Sequence, residues 1–326
     1  MINKRLLVAG AIAGILYGLF ARLFFAYEAF EGVFTVMSLA FIFGAPTVLG
    51  FLTVYIGEKG QPPGTVNWAM RLFLPWLSAL ASLAAALVLA WEGIICIVLW
   101  LPLFLILSSI GGLIAGLLLY LLRKYGKSEN LGYCIIVLPF LLAPLESKVS
   151  LANRIVAVNT QIEINSDAST IWQNIERVPA ISATEHSTYL TNIIGFPKPV
   201  EAKLFGEGVG AVRHATFERG VLFIETITEW ESQKHLSFSI KADTGSVPPT
   251  TLDQHVTIGG PYFDVLQGTY DIETVNDRKA ILHLSSRHRL STHFNFYSEW
   301  WTSFIMRDTQ NQILKIIKRR CENQIR

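Results

Sequence analysis

Residues Ala280 to Trp301 read AILHLSSRHRLSTHFNFYSEWW. As far as Leu290, apolar and polar side chains alternate, the period-two signature of a strand with one buried face. Leu282, Leu284, Ser286, His288 and Leu290 share one phase, and His283, Arg287 and Arg289 hold the other. The first phase is therefore expected to face a core. Ser291-Thr292 forms a joint, and Asn295 is placed to cap a helix running to about Arg320. That helix carries Tyr297, Trp300, Trp301, Phe304 and Ile305. After a polar middle, Arg307 to Gln312, its apolar face resumes at Ile313, Leu314, Ile316 and Ile317. A long strand feeding a long terminal helix needs a sheet for the helix to lie across.

The preceding residues supply one. Arg154 to Ile164 alternates as a first strand, and Asn165-Ser166-Asp167 offers caps for a short helix from Ala168 to Ile175, which Val178-Pro179 breaks. A second short helix fits before the turn Gly195-Phe-Pro-Lys-Pro199. Strands then follow at Val200–Phe205, Gly210–Phe217, Val221–Trp230, His235–Ala242, Tyr262–Val275 and Lys279–Leu290. Tight turns between most of them predict an antiparallel meander. Gly206-Glu-Gly-Val-Gly210 superficially suggests a phosphate loop, but it joins two strands and no helix or Lys follows, so it reads as a hairpin turn. Asp243 to Gly260, with Gly245, Pro248, Pro249 and Gly259-Gly260, reads as an irregular excursion at the mouth of the sheet.

The first 147 residues are of another kind. No Asp precedes Asp167 and no His precedes His186, and the few charges lie almost entirely between apolar runs. Leu6–Ala26, Val33–Ile56, Leu72–Trp91 and Gly93–Leu122 each reach the ~20 residues that cross a hydrocarbon core of roughly 30 Å. Leu131–Leu145, with Pro139 and Pro144, is short: it either crosses or lies at the interface, and crossing is the reading adopted. The domain is thus an all-α membrane block of four or five spans. Gly111, Gly112 and Gly116 on the fourth allow close helix approach. Lys4, Arg5, Lys59, Arg71, Arg123, Lys124 and Lys127 fall on one side, and Glu28, Glu31 and Glu92 on the other, which places the N-terminus in the cytoplasm, at a cell inner membrane. The soluble domain is then external or periplasmic if the fifth segment crosses, and cytoplasmic if it does not. Arg22 is the exception inside an apolar run. It either snorkels to the interface, the simpler reading, or meets Glu28 or Glu92.

The element order over about residues 152–322 resembles the SRPBCC superfamily, the START, Bet v 1 and polyketide-cyclase group. The resemblance is carried by Ser166-Asp-Ala-x-x-Ile-Trp172 at the start of the first helix and by the hairpin from Phe217-Glu-Arg-Gly220 to Glu229-Trp230-Glu231. It implies an α+β helix-grip fold, a curled antiparallel sheet around a long C-terminal helix, with an apolar cavity for lipids, sterols, polyketides or other hydrophobic molecules. A multi-span block in front departs from that pattern.

With 27 Lys and Arg against 25 Asp and Glu and no basic stripe on the soluble part, a nucleic-acid surface is excluded. Cys96, Cys134 and Cys321 have no CxxC spacing, so neither a disulfide framework nor a zinc site follows, and each reads as a buried or inert thiol. No HxxxH or HExxH motif occurs, and neither a metal nor another cofactor is expected. Ser286 and His288 are the polar points on the expected inner wall of the last strand, suited to orient a ligand or simply to pair within the core. Glu225 faces either the cavity, where burial raises its pKa, or solvent as an ordinary strand residue. Arg213 and His214 occupy opposite faces, so one must point inward, and His214 is taken as the cavity candidate. Tyr270 shares the phase of Leu266 and Ile272, and Trp300 and Phe304 complete the set from the helix. Arg22 and Glu92 are the polar candidates of the membrane domain.

The leading expectation is a membrane-anchored binding module for a hydrophobic small molecule, lipid or isoprenoid-like, for transfer or sensing. One alternative is a cyclase-, dehydratase- or hydrolase-like enzyme using the same cavity, which requires at least two of His288, Glu225 and Tyr270 to converge. A second is a regulatory interaction subunit of a membrane complex.

Overall fold

The structure, a computed structural model, describes residues 3–30, 32–243 and 257–323, and the chain separates into two units, Met1–Ser150 and Leu151–Arg326. The first unit holds helices α1 (Lys4–Phe25), α2 (Ala45–Glu58), α3 (Trp68–Val88), α4 (Ile94–Lys124) and α5 (Leu138–Glu146). Among the described residues, five helical segments are long and apolar enough to cross a membrane. On α1, Gly10, Gly14, Tyr17, Ala21 and Phe25 are buried, while Val8, Ile12, Leu16, Phe20 and Leu23 are exposed, as a helix between protein and lipid requires.

The second segment starts later than the apolar run from Val33 suggests. A π-helical turn, Ala40–Gly44, precedes α2, whose first turn carries Pro46. The helix is continuous from Ala40 to Glu58, and proline falls where the wider π turn passes into the α-helix, a usual place for a residue with no N–H to donate. The Glu146 carboxylate accepts hydrogen bonds from the backbone N–H groups of Leu39 (2.6 Å) and Ala40 (2.9 Å), so a negative charge sits at the positive end of the helix. α4 is one continuous helix through Pro102. Its 31 residues span about 46 Å, which exceeds a hydrocarbon core.

The fifth segment changes character halfway. Glu129–Val137 is 3₁₀ and Leu138–Glu146 is α. At ~2.0 Å per residue for the tighter half and ~1.5 Å for the other, it extends about 30 Å, the thickness of a hydrocarbon core. It also runs antiparallel to the second segment, Ala40–Glu58. At one end the Tyr55 hydroxyl donates to the Glu129 carbonyl and Lys59 Nζ donates to Asn130 Oδ1 at 2.7 Å. At the other end stands Glu146. Burying Gly132 against Tyr55 is part of this approach: a Cβ there would lie 2.2 Å from the ring.

α2 and α4 meet through glycine. A Cβ on Gly111 would fall 1.9 Å from the Thr47 carbonyl oxygen, and one on Gly50 would fall 1.8 Å from that of Ser108. Neither backbone can retreat without parting the helices, so close contact here is required by packing.

In the second unit, strands β1 (Arg154–Ile164), β2 (Pro199–Phe205), β3 (Val212–Phe217), β4 (Leu222–Glu231), β5 (His235–Asp243), β6 (Phe263–Asn276) and β7 (Lys279–Leu290) form a sheet. Its order is β1-β7-β6-β5-β4-β3-β2, antiparallel throughout. Helices α6 (Ala168–Glu176) and α7 (Leu190–Ile193) follow β1, and α8 (Asn295–Asn323) closes the chain. The Asp167 carboxylate caps α6 by accepting from the Thr170 N–H at 2.8 Å. Gly206, Gly208 and Gly210, all with φ between 80° and 90°, make the β2–β3 hairpin turn. Most of the excursion expected over Asp243 to Gly260 lies outside the described residues.

Alternation fixes which side of the sheet is inner. Ala280, Leu282, Leu284, Ser286, His288 and Leu290 of β7 are buried. They pair across β1 with Ile164, Ile162, Thr160, Val158, Val156 and Arg154. α8 runs along β1 and β7. Its stripe Gln310, Leu314, Ile317 and Cys321 is buried, and Leu314, Ile317 and Cys321 join α6 (Ile171, Trp172, Ile175) and the inner residues Ile227, Leu236, Phe238, Tyr270 and Leu282 in one core. Asn295 does not cap α8. It is the first helical residue; its Oδ1 accepts from the Thr292 N–H (2.9 Å), and its Nδ2 donates to the Ala152 carbonyl (2.8 Å), so it ties the joint to the start of β1.

The glycine contact yields a direct expectation. Gly111→Leu should lower the stability of the detergent-solubilised protein by about 1–3 kcal/mol through overpacking, whereas Leu117→Ala, at an exposed position of α4, should change it little. Equal thermal midpoints for Gly111→Leu and wild type would remove the packing role.

Candidate functional site

Two walls flank the inner face of the second unit. α8 covers β1 and β7, and the segment from Val178 to Ile194 covers β2 and β3, where Val178 and Ile181 pack with Ala202, Ala215, Phe217 and Phe223. This segment is strapped to α8 by polar contacts. Arg320 donates to the carbonyls of Pro179 (3.0 Å) and Ala180 (3.1 Å), and Asp308 Oδ2 accepts from the Thr191 N–H (3.0 Å) and hydroxyl (2.7 Å). The space between the walls carries three groups of polar side chains.

The deepest is built on Arg213. Ala211, Arg213 and Ala215 form the inner phase of β3, and the small neighbours leave room for a guanidinium laid along the sheet. Arg213 Nε donates to the Glu225 carboxylate at 2.5 Å, and Nη1 donates at 2.5 Å to the Ile175 carbonyl in the last turn of α6. The guanidinium lies 4.4 Å from the centre of the Phe238 ring and 5.7 Å from that of Tyr270. A charge-assisted bond, a helix C-terminus and two ring faces together compensate its desolvation. Burial raises the Glu225 carboxyl above the usual range even though Arg213 opposes it. Burial works against the Arg213 charge, but Glu225 and Tyr270 outweigh it and keep the guanidinium protonated. Burial also pushes the Tyr270 hydroxyl up to about 12, against Arg213.

The second group is a closed network. Gln310 Nε2 donates to Ser286 Oγ (2.7 Å) and to the Val158 carbonyl (3.1 Å), and Gln310 Oε1 accepts from Thr160 Oγ1 (3.0 Å). It rivets the middle of α8 to β1 and β7.

The third group is His288. Its ring is fully buried, with Nε2 3.0 Å from Thr302 Oγ1 on α8 and the Phe263 ring centre 5.5 Å away. Nδ1 is buried without a hydrogen-bond partner, and so is Nε1 of Trp301, the neighbour of Thr302. Burial lowers the His288 pKa to about 4, so the ring is neutral near pH 7.

Of the residues expected at the site, Ser286, His288, Tyr270 and Glu225 lie on the inner face. Glu225 is therefore buried and paired rather than a solvated strand residue. His214 is on the outer face, its ring 4.9 Å from that of exposed Phe205, and Arg213 takes the inward place. Trp300 is 62% exposed on the outside of α8, 4.6 Å from the Trp301 ring. Phe304 is half-buried, 6.3 Å from Trp301. Glu225 and Tyr270 converge on Arg213, but that carboxylate is already paired. His288 stands apart, since Tyr270 pairs with Leu284 and His288 is four positions further along β7, about 13 Å. Thr302 and Gln310 were not singled out in the sequence, and Trp301 only as one member of the aromatic face of the last helix. Of the first two, only Gln310 carried a signal, its place on the stripe that continues through Leu314, Ile317 and Cys321.

Other titratable groups fall elsewhere. On the outer face His235 Nδ1 lies 2.6 Å from Asp271 and His283 Nε2 3.0 Å from Glu273. Cys321 is buried, and burial pushes its thiol up to about 12, while Cys96 is half-buried and Cys134 exposed. Among the described residues no group of three or more His, Cys, Asp or Glu is placed to hold a metal ion. In the first unit Arg22 does not snorkel. It pairs with Glu92 and donates to the Trp91 carbonyl at 2.5 Å, in a loop that returns the chain to the bundle.

The buried neutral imidazole has a consequence for stability. Unfolded, the ring titrates near its ordinary 6.5; folded, near 4. The unfolded chain therefore binds more protons between these values, and stability falls as pH drops from 6.5 toward 4. Thermal or denaturant unfolding should show a loss over this window larger in wild type than in His288→Phe, by on the order of 2 kcal/mol. An identical pH profile for both would show that the ring is not held neutral by burial.

No family model matches the sequence, and no curated protein matches it. Solved structures similar to the chain include the protein XoxI from Bacillus cereus, 15% identical, with a TM-score of 0.33 over 52% of this chain and 99% of that one. A START superfamily protein from Mycobacterium smegmatis is 10% identical, TM-score 0.34, over 52% and 98%. Zhui aromatase/cyclase from Streptomyces sp. R1128 is 12% identical, TM-score 0.35, over 53% and 97%. These likenesses add nothing about activity. By its own strand order and its terminal helix, the second unit has the helix-grip fold that the resemblance to the START, Bet v 1 and polyketide-cyclase group implies.

Proposed function

We propose that this protein is a membrane-anchored binding module that takes a hydrophobic small molecule, lipid or isoprenoid-like, into the inner face of its helix-grip unit. The observation that carries the reading is the unequal packing of α8. From Gln310 onward its inward stripe is fully buried, whereas from Tyr297 to Thr309 no residue is, although Tyr297, Trp301, Phe304, Ile305 and Met306 are large and apolar. Half-buried Phe223, Ile240 and Ala242 on the inner phase of β4 and β5 extend the same condition across the sheet. A compact domain buries such side chains unless something else is to cover them. The membrane helices keep the module beside the phase into which apolar ligands partition, which raises their effective concentration. An enzymatic role is less well supported, because Glu225 and Tyr270 are both committed to Arg213.

The purified full-length protein, washed in detergent and extracted with organic solvent, should release one apolar species near one equivalent per chain, identified by mass spectrometry against a mock preparation. Trp301→Arg should abolish it. Only bulk membrane lipid, in equal amounts from both proteins, would overturn the reading.

The orientation follows from the fifth segment. Its ~30 Å length and its contacts with both ends of the second segment, Leu39 and Ala40 at one end and Tyr55 and Lys59 at the other, support a crossing, and the basic residues around α1, α2, α3 and α4 support a cytoplasmic N-terminus. The helix-grip unit is then external. A reporter fused after Arg326 should be active only outside the cytoplasm; activity inside would reverse this orientation.

A further inference from the structure

Resting on the reading of the second unit as a binder of an apolar molecule, we propose that His288 is the anchor for an uncharged hydroxyl group on that molecule, so that the ligand class is an apolar alcohol or phenol rather than a fatty acid, a phosphate ester or a plain hydrocarbon.

The three polar groups on the inner face differ in what they have left to offer. Arg213 is committed to Glu225, to the Ile175 carbonyl and to the faces of Phe238 and Tyr270. Gln310 spends both amide hydrogens on Ser286 and Val158, and its oxygen accepts from Thr160. His288 alone is a fully buried side chain with an open ring nitrogen, Nδ1. An unmade hydrogen bond at a buried polar atom is a cost to the fold, so a group that completes it gains affinity.

The chemistry of the missing partner is constrained. Thr302 Oγ1 lies 3.4 Å from the Glu299 carbonyl, to which it donates, so its lone pairs face His288 Nε2–H. Nδ1 is then an acceptor and needs a donor, which a hydroxyl supplies and a carboxylate, phosphate diester or hydrocarbon does not. A hydroxyl also fits the other tautomer, because it accepts as readily as it donates. A charged head group is disfavoured for a second reason. The ring is neutral near pH 7, and no Lys or Arg is hydrogen-bonded to it to meet an anion. His288 and Thr302 also sit beside the half-packed part of α8, where half-buried Trp301 has an Nε1–H without a partner. A hydroxyl oxygen is an acceptor for such a donor.

The test uses the full chain in lipid nanodiscs with four radiolabelled probes of similar size: oleyl alcohol, nonylphenol, oleic acid and octadecene. Binding is read by equilibrium dialysis against protein-free nanodiscs. At least one hydroxyl probe should bind about ten-fold more tightly than the acid and the hydrocarbon, and the tighter of the two tells whether the hydroxyl is aliphatic or phenolic. In His288→Phe the preference should disappear while octadecene binding persists, and His283→Ala, on the outer face of the same strand, should keep it. Equal binding of all four probes by wild type, or tightest binding of the acid, would overturn the hydroxyl anchor and leave the binding module standing. A preference that survives His288→Phe would remove His288 from the role. If no probe binds, the module itself is overturned along with its anchor. The comparison within wild type decides the question even where His288→Phe fails to fold.

Discussion

The second unit depends on the register of β7. That strand is hydrogen-bonded on one side to β1 and on the other to β6, and its inner phase meets α8. A slip of one residue would carry His283, Arg287 and Arg289 inward and expel Leu282, Leu284 and Leu290. Each of those apolar side chains contributes roughly 1.5–3 kcal/mol through burial, and each of those charges would need a partner that the inner face does not hold. The alternation from Ala280 to Leu290 therefore fixes one sheet register, and with it the positions at which α8 finds Ser286 and His288.

Two polar contacts then set how α8 lies on that register. Gln310 bonds to β1 and β7 at once, and Thr302 meets His288 two turns earlier. Beyond Gln310 the helix is sealed by Leu314, Ile316, Ile317 and Cys321. Before it, aromatic side chains are only half covered. The same helix thus serves as core at one end and as a loosely packed wall at the other, and the closed Gln310 network marks the boundary between them. The Val178–Ile194 segment is held to α8 by arginines and by Asp308, all of which lie at or beyond that half-packed stretch.

The sequence made the architecture legible because periodicity reports which face is buried, and neighbouring strands repeat it. It was weaker wherever a side chain's role depends on a partner far along the chain. Arg213 and His214 stand on opposite faces whichever way β3 turns, so the local pattern puts one of them inward without saying which. What decides the matter is Glu225 on the next strand and the Ile175 carbonyl at the end of α6, neither visible from the local pattern. The flanking alanines at 211 and 215 were the available signal. Asn295 has the residue type and position of a cap, yet Ala152 and Thr292 claim its side chain. Arg22 likewise looked free to snorkel until Glu92, from the loop between α3 and α4, supplied a counter-charge.

The membrane unit handles charge by the same logic under a harsher constraint, since lipid offers no water to an unpaired group. Its more buried ionisable residues are paired near segment ends. Glu58 takes two hydrogen bonds from Arg71 (2.9 and 2.6 Å), Arg123 bonds Glu129 (2.9 Å), and Glu146 covers the start of the second segment. Pairing these charges, and letting glycines bring α2 and α4 together, commits the buried polar groups of this unit to its own packing. The helix-grip unit satisfies its inner charges just as fully around Arg213. In the proposed reading, recognition of a small molecule falls to His288, neutral and half-satisfied on the inner wall, and a neutral acceptor set among aromatic rings would select for shape and a single hydrogen bond rather than for charge.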